Sequence, residues 1–456
     1  MSVIKTYQDF ERIPEGGVPA FIEDAIDEFR ATEAYKTAVI ADEYDHQKNT
    51  TIMKYRKLLY TMRGVAVPDN FSANHKMASN FFNRFVTQEC MFLLGNGLSL
   101  TGEQAEENKA KLGNDFDGQL QKVARASLVD GLAFGFWDYD SLRVFRYTEF
   151  CPLWDEETGG LRAGIRFWQL DETKPMRATL YEEDGYREYI KTDKTKGFVP
   201  LDEKKPYIVR TMTSVADGVE IIAGENYGRF PVVPLWGSPL HQSELVGIRE
   251  EIDCYDLIRS GFANDLDDAS QIYWTIQNGG GMDDVDLAKF IERMKVVKAA
   301  VVEGDGAKAE PHTVEVPYQS RETYLERLEK DMYKDFMAVD VSAITAGAVT
   351  ATQIKAAYEP LNSKCDQFEY CILDFLQAIF ELAGVEGDPV FVRSQIVNML
   401  EQTQMVIAAS GILDVETVLR HLPFLTVDEI PGILERLARE EVGMTSFGTT
   451  GEEGEE

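Results

Sequence analysis

Residues 241–263, HQSELVGIREEIDCYDLIRSGFA, and residues 319–339, QSRETYLERLEKDMYKDFMAV, decide the reading of this chain. In the first, Leu245, Ile248, Ile252, Tyr255 and Phe262 recur at the spacing of one helical stripe. In the second, Leu325, Leu328, Met332 and Phe336 repeat that pattern. The segment between them is β-rich: a strand at Gln271–Ile276 containing Trp274, a turn at Gly279-Gly280-Gly281, a short helix over Val285–Met294, and strands at Lys295–Val302 and Thr313–Val316. A loop of small residues follows the second helix (Ser342, Ala343, Thr345, Ala346, Gly347, Ala348), then a long apolar-periodic segment containing Pro360. Each stripe requires an apolar partner, and the acidic faces opposite are expected to look onto water or another charged surface.

Upstream, the first forty-five residues have helical periodicity with a break at Gly16–Pro19. A helix is expected over Asn74–Leu94, with Met77, Phe81, Phe82, Phe85, Cys90 and Phe92 inward and Gly95 and Gly97 ending it. Phe116–Asp130 reads as another. From Ala133 to about Ile222 the period changes to two, with strands at Val144–Tyr147, Gly164–Trp168 and Arg177–Tyr181 separated by turns at Thr158-Gly159-Gly160 and Glu183-Asp184-Gly185. Pro231 and Pro234 deny Phe230–Trp236 a central strand position. Helices are expected at Arg393–Ser410, Asp414–His421 and Ile430–Glu441, and the Gly/Thr/Glu-rich tail 443–456 is expected to be disordered. The fold class is α+β.

A chain of 456 residues with 44% apolar and 11% aromatic content supports two to four folded domains. No apolar run is long enough for a membrane span, and the N-terminus lacks the order of a signal peptide. The five cysteines are odd in number, scattered and without a CxxC pair, so free, buried thiols are expected. The net charge of −32 is uneven: residues 241–456 carry 17 Lys+Arg against 41 Asp+Glu, a net of −24. A surface that grips nucleic acid is basic, and this region is the opposite. It suits solubility, or a surface that lies near a polyanion without sticking to it.

The five histidines are far apart, and no nucleophile elbow, Walker loop or dinucleotide fingerprint occurs. Asp115-Phe116-Asp117-Gly118 reads as a polar helix start. The clusters Asp265-Asp267-Asp268 and Asp283-Asp284-Asp286 read as solvated turns and helix ends, the competing reading being a divalent-metal hydrolase site. No catalysis, cofactor or metal is expected. Lys330 and Lys334, one turn apart, offer either a cationic ring or pairing with Asp331, Asp335 or Glu326.

Four blocks resemble the portal (head-to-tail connector) proteins of long-tailed, non-contractile bacteriophages. They are Asn80–Gly97, Phe150-Cys151-Pro152-Leu153-Trp154-Asp155, Gly228–Leu235 followed by Ser243-Glu244-Leu245 and Ile252–Asp256 with Ser260, and Ala409–Asp414 with Glu416 and Pro423-Phe424. Where the family pattern has proline after Gly97, this chain has Leu98. The resemblance implies a dodecameric ring at a capsid vertex, with a channel for double-stranded DNA. Residues 1–240 would be the wing, 241–263 and 317–339 the stem helices, and 264–316 a small α/β clip. Residues 340–349 would be the tunnel loop, 350–384 a long helix kinked at Pro360, and 385–442 a helical crown. It further implies clip docking of a terminase motor and a head-completion or adaptor protein through Trp274, Gly279, Gly280, Lys295 and Lys298. The tunnel would be lined by Ser342, Thr345, Ala346, Gly347, Lys330 and Lys334. Leu245, Ile252, Leu325, Leu328 and Met332 would face neighbouring subunits. Scaffolding and major capsid proteins would be further partners, in the virion and in host cytoplasm during assembly, with no membrane involved. The alternative is another ring- or shell-forming virion scaffold without a DNA channel.

Overall fold

The computed structural model describes residues 4–60, 63–69, 72–102, 104–192, 197–213, 220–269, 273–277, 308–312, 318–342 and 351–394, with 403, 406–422, 425, 430 and 432–437. The helix expected at Val285–Met294, the strands at Lys295–Val302 and Thr313–Val316, and the tail lie outside the described residues. Contacts divide the chain into two units, Met1–Ala338 with Lys364–Val392, and Val339–Ser363 with Arg393–Glu456.

In the first unit, α1 (Tyr7–Glu11) starts at a capping box in which Thr6 and Asp9 satisfy each other's backbone N–H. The Gly16–Pro19 break is where α2 (Val18–Ala31) begins, with Pro19 in its first turn where no N–H is needed. Thr32 then caps α3 (Glu33–Asp45) by accepting the Tyr35 N–H. α4 (Thr50–Lys54) and the hairpin β1 (Leu58–Tyr60) and β2 (Ala66–Pro68) follow. α5 covers Phe81–Leu94, shorter than the expected helix: residues 74–80 are not helical because backbone groups of this segment bind elsewhere, as described below. β3 (Leu98–Leu100), α6 (Ala105–Lys111) and α7 (Phe116–Asp130) complete this part. Asp117 accepts from the Leu98 N–H (3.2 Å) and pairs with Lys109 (3.0 Å), so the polar start of α7 is a local clamp.

Two sheets form the centre. β4 (Leu132–Asp138) and β5 (Ser141–Arg146) pair, with β13 (Val232–Trp236) on the other side of β4. β13 is therefore an edge strand, which is where Pro234 is tolerated. β6 (Phe150–Trp154), β7 (Leu161–Trp168), β8 (Met176–Glu182), β9 (Gly185–Lys191) and β10 (Val199–Pro200) make an antiparallel meander in sequence order. β11 (Ile208–Thr213) and β12 (Glu220–Glu225) form a separate hairpin.

The stripe of α2, Val18, Phe21, Ile22, Ala25, Ile26 and Phe29, packs on alternate meander residues, among them Cys151, Leu153, Ile165, Leu180 and Tyr189. The other face of the meander, Phe150 and Tyr181, meets Phe134, Phe136, Phe145 and Val232 of the smaller sheet. Phe150 lies flat over Gly164, where an added Cβ would fall 2.0 Å from its ring. On the far side of the smaller sheet a Cβ on Gly135 would strike Phe375, so this sheet is buried on both faces.

The remaining elements are α8 (Arg249–Ala269), β14 (Tyr273–Gln277) paired with β15 (Lys308–His312), α9 (Tyr318–Asp335), α10 (Ala351–Ala383) and β16 (Pro389–Phe391). α8 thus starts later than residue 241 and continues past 263, after a 3-10 turn at Glu244–Gly247. α10 runs through Pro360 without ending, and the boundary between the two units falls at Ser363. β16 pairs with β3, so residues 389–391 belong to the first unit's sheet structure. In the second unit, α11 (Val415–His421) is capped by Asp414, which accepts the Thr417 N–H at 3.0 Å.

Candidate functional site: a helix pair and its anchorage

α8 and α9 run antiparallel. Arg321 pairs with Asp265 near one end of the contact, and Glu251 bonds Asp335 near the other. Burial of Glu251, with its hydrogen bond to Asp335 and the charges of Asp335 and Asp331, pushes its carboxyl up to about 7.

Leu245, Ile252 and Met332, expected at the contact with a neighbouring subunit, are buried at 1%, 1% and 0% exposure within this chain. A helical stripe requires a partner without saying whose, and here the partner is the chain's own interior. Phe336, from the same stripe, stacks on Phe85 of α5 at 4.9 Å. Leu325 and Leu328 are half-buried and remain open to another copy.

The acidic side of α8 does not face water along its length. Asp253, Asp256, Ser260, Asn264 and Asp267 follow one another every three or four residues and share a face. Asp253 accepts from the hydroxyls of Tyr44 and of Thr51 (2.8 Å). Asp256 accepts from the Asn49 amide and the Ser79 N–H (2.8 Å). Ser260 takes the Met77 N–H (3.0 Å), Asn264 the His75 N–H (2.6 Å), and Asp267 lies 3.4 Å from the His75 ring. The side chains of α8 therefore serve as hydrogen-bond partners for segment 75–79, which explains why that segment is not helical. Asp256 is fully buried, and burial pushes its carboxyl up while Asn49 and Ser79 oppose the shift. With Asp265 paired to Arg321 and Asp267 facing His75, two acids of the expected solvated cluster are in contact with basic groups.

At the other end, the loop launching α8 is moulded onto the end of α7. Gly131 closes α7 at φ +88°, its N–H on Ser127 O, and an added Cβ would lie 2.8 Å from the Ser243 backbone. The Ser243 hydroxyl donates to Val129 O at 2.6 Å. Next to it, Lys364 of α10 extends its ammonium 2.7 Å from Glu244 and 3.1 Å from Glu89 of α5. It also donates to the Phe336 carbonyl (3.2 Å) and sits 3.3 Å from the centre of the Phe336 ring. Burial pushes Glu89 up to about 7, while the adjacent carboxylates outweigh desolvation and raise Lys364. The sequence reading missed this cluster, although it carries a signal. Glu89 sits within the stripe Phe82, Phe85, Val86, Leu93, and Lys364 within Leu361, Cys365, Phe368. Opposite charges inside two apolar stripes suit each other.

Of the other expected site residues, Lys330 and Lys334 are exposed, and Lys334 lies 3.6 Å from Asp331. Ser342 is exposed, with its N–H and hydroxyl on Asp340. Trp274 is in β14 and Pro360 is an exposed residue of α10. Thr345, Ala346, Gly347, Gly279, Gly280, Lys295 and Lys298 lie outside the described residues. Cys90, Cys151 and Cys365 are buried free thiols, whereas Cys254 and Cys371 are partly exposed. Among the described residues no helix is long and apolar enough to cross a membrane.

A two-sheet body thus carries an antiparallel helix pair, with Lys364 of α10 bonded at the base of that pair. The family model for the phage portal protein, SPP1 Gp6-like, matches residues 31–442, and the chain belongs to that family. It is 25% identical over 389 residues to the portal protein of Clostridium phage phiCD119, covering 79% of this chain and 83% of that one. It is likewise 25% identical over 434 residues to the portal protein of Bacillus phage SPP1, covering 87% and 81%. Among solved structures it is similar to a chain in the neck of an empty gene transfer agent particle computed with C6 symmetry, at TM-score 0.45 and 11% identity over 74% of this chain and 88% of that one. A chain in the neck of the native particle computed with C12 symmetry gives TM-score 0.44 at 11% identity, over 77% and 91%.

Proposed function

We propose that this chain is the subunit of a closed ring, a dodecamer at one capsid vertex, whose axial channel passes double-stranded DNA during packaging and ejection. In this reading α8 and α9 are the stem, and Leu325 and Leu328 contact the next subunit. Residues 264–316 are the clip, with Trp274, Gly279, Gly280, Lys295 and Lys298 on the surface that meets the terminase motor and later the adaptor or head-completion protein. Residues 340–349 form the tunnel loop, with Ser342, Thr345, Ala346 and Gly347 closest to DNA. Lys330 and Lys334 offer brief cationic contacts. Scaffolding and major capsid proteins surround the ring in the virion.

The observation that carries the reading is the family match across residues 31–442, which takes in both helices of the pair. The charge pattern supports it. With a net of −24 over residues 241–456, a channel wall built from this region avoids the phosphate–lysine contacts whose counterion release would hold DNA in place. Electron microscopy of the purified chain tests it. Closed rings with an axial hole wide enough for a duplex are expected; monomers or open sheets would overturn the proposal, and rings with no axial hole would favour the channel-free scaffold.

A further inference from the structure

Lys364 is the cation at a junction where packing is incomplete. The launch of α8 (Gln242, Gly247), the end of α9 (Asp335, Met337) and α10 (Lys364, Gln367) line a cavity of about 230 Å³. Atoms facing a cavity lack close-packed neighbours on that side, so polar contacts beside it carry more of the positioning. In its lining Lys364 joins Glu244 on the launch side, Glu89 of α5, and the Phe336 carbonyl at the end of α9.

The backbone on both sides is strained. His241 (φ +54°) and Met337 (φ +63°) are non-glycine residues in the left-handed region, one at the entry to the helix pair and one at its exit. At the exit, the Met337 N–H bonds Lys334 O (3.0 Å) and the Ala338 N–H bonds Tyr333 O (2.8 Å), the hydrogen-bond pattern of a helix stop that normally uses glycine. At the entry, the His241 ring stacks on Trp236 at 3.9 Å. Such conformations persist only where the surroundings over-determine them.

We propose that Lys364 is a positioning residue that fixes where the launch of α8 and the end of α9 lie relative to α5, so that the helix pair leaves the body at a set point. That this sets the radius of a channel rests on the portal reading; the clamp itself does not. The competing account is a purely stabilising ion cluster, in which the cost of losing Lys364 is the burial of unpaired carboxylates.

Three full-length variants separate the two, each followed by thermal melting and by amide hydrogen exchange over residues 244–252 and 332–338. Lys364→Met should lower the melting temperature and speed exchange in both segments by roughly tenfold, the order of losing one charge-assisted hydrogen bond. Glu89→Gln alone should leave exchange near wild type, because Glu244 and the Phe336 carbonyl still hold the lysine. The double variant Glu89→Gln/Lys364→Met removes the most deeply buried charge, so it should recover much of the lost melting temperature while exchange stays fast. If the double variant restores slow exchange along with stability, or if Lys364→Met leaves exchange unchanged, the positioning role is overturned. Should Lys364→Met fail to fold, the double variant alone decides. None of these outcomes depends on whether rings form, so microscopy and exchange can fail independently.

Discussion

The seam between α2 and the meander and the seam between α8 and residues 44–79 solve the same problem by opposite means. The first is apolar on both sides, a helical stripe on alternating strand positions. The second is polar, a row of Asp, Ser and Asn side chains accepting from hydroxyls, an amide and backbone N–H groups. An apolar seam tolerates small shifts, since its energy depends on area. A polar seam holds one register, because each donor displaced from its acceptor loses its partner, at the full desolvation cost where it is buried. A helix held in one register is better served by the second.

The sharpest break in this contrast comes from the apolar seam. Phe29 is 2% exposed, with Tyr147 and Tyr35 packed edge-on at 4.9 and 5.3 Å and Phe167 at 6.3 Å. Phe29→Ala should cost about 3–5 kcal/mol, the range for emptying an aromatic core site. The loss should appear in the denaturant midpoint of the main transition, while exchange at residues 75–79 stays slow. Faster exchange there would mean that the two seams are not independent.

The polar seam is broken by Asp256→Ala, which leaves the Ser79 N–H without its acceptor and the Asn49 amide with only the Ser79 carbonyl. A loss of about 1–3 kcal/mol is expected. Exchange of the Met77 and Ser79 amides should accelerate more than that of α2. Asp256→Asn keeps one acceptor oxygen and should cost less than alanine. Equal costs would show that packing, not hydrogen bonding, holds this seam.

The same contrast explains what could be read from the chain. The stripe of α2, the alternation at Ala163, Ile165 and Phe167, and the edge position of Pro234 are local patterns, and the structure has them. Local periodicity predicts a helix start at Asn74, whereas α5 starts at Phe81, because segment 75–79 is satisfied by side chains nearly two hundred residues away, which no local window contains. Periodicity gives Leu245, Ile252 and Met332 a buried face without naming the surface that buries it, and that surface lies within the chain. Glu89 and Lys364 are each a single charge in an apolar stripe. Only their pairing across 275 residues makes sense of either.

The smallest effect concerns the contact between the two helices themselves. Glu251 of α8 faces Asp335 and Asp331 of α9, and its carboxyl is raised from 4.5 to about 7. A raised acid binds its proton more tightly in the folded chain than in the unfolded one. Its contribution is therefore full below about pH 4.5 and is lost as pH rises through 7. Acidification from pH 8 to pH 6 should raise the melting temperature, and a chain of net charge −32 would gain in the same direction from reduced self-repulsion. The difference between variants removes that background. Glu251→Gln cannot take up the proton, so its gain on acidification should be smaller than that of the wild type. Because Glu251 is only half-buried, solvent screening keeps the difference below about 1 kcal/mol. Parallel melting curves for the two proteins across this pH range would mean that the acid pair does not tune the contact between α8 and α9.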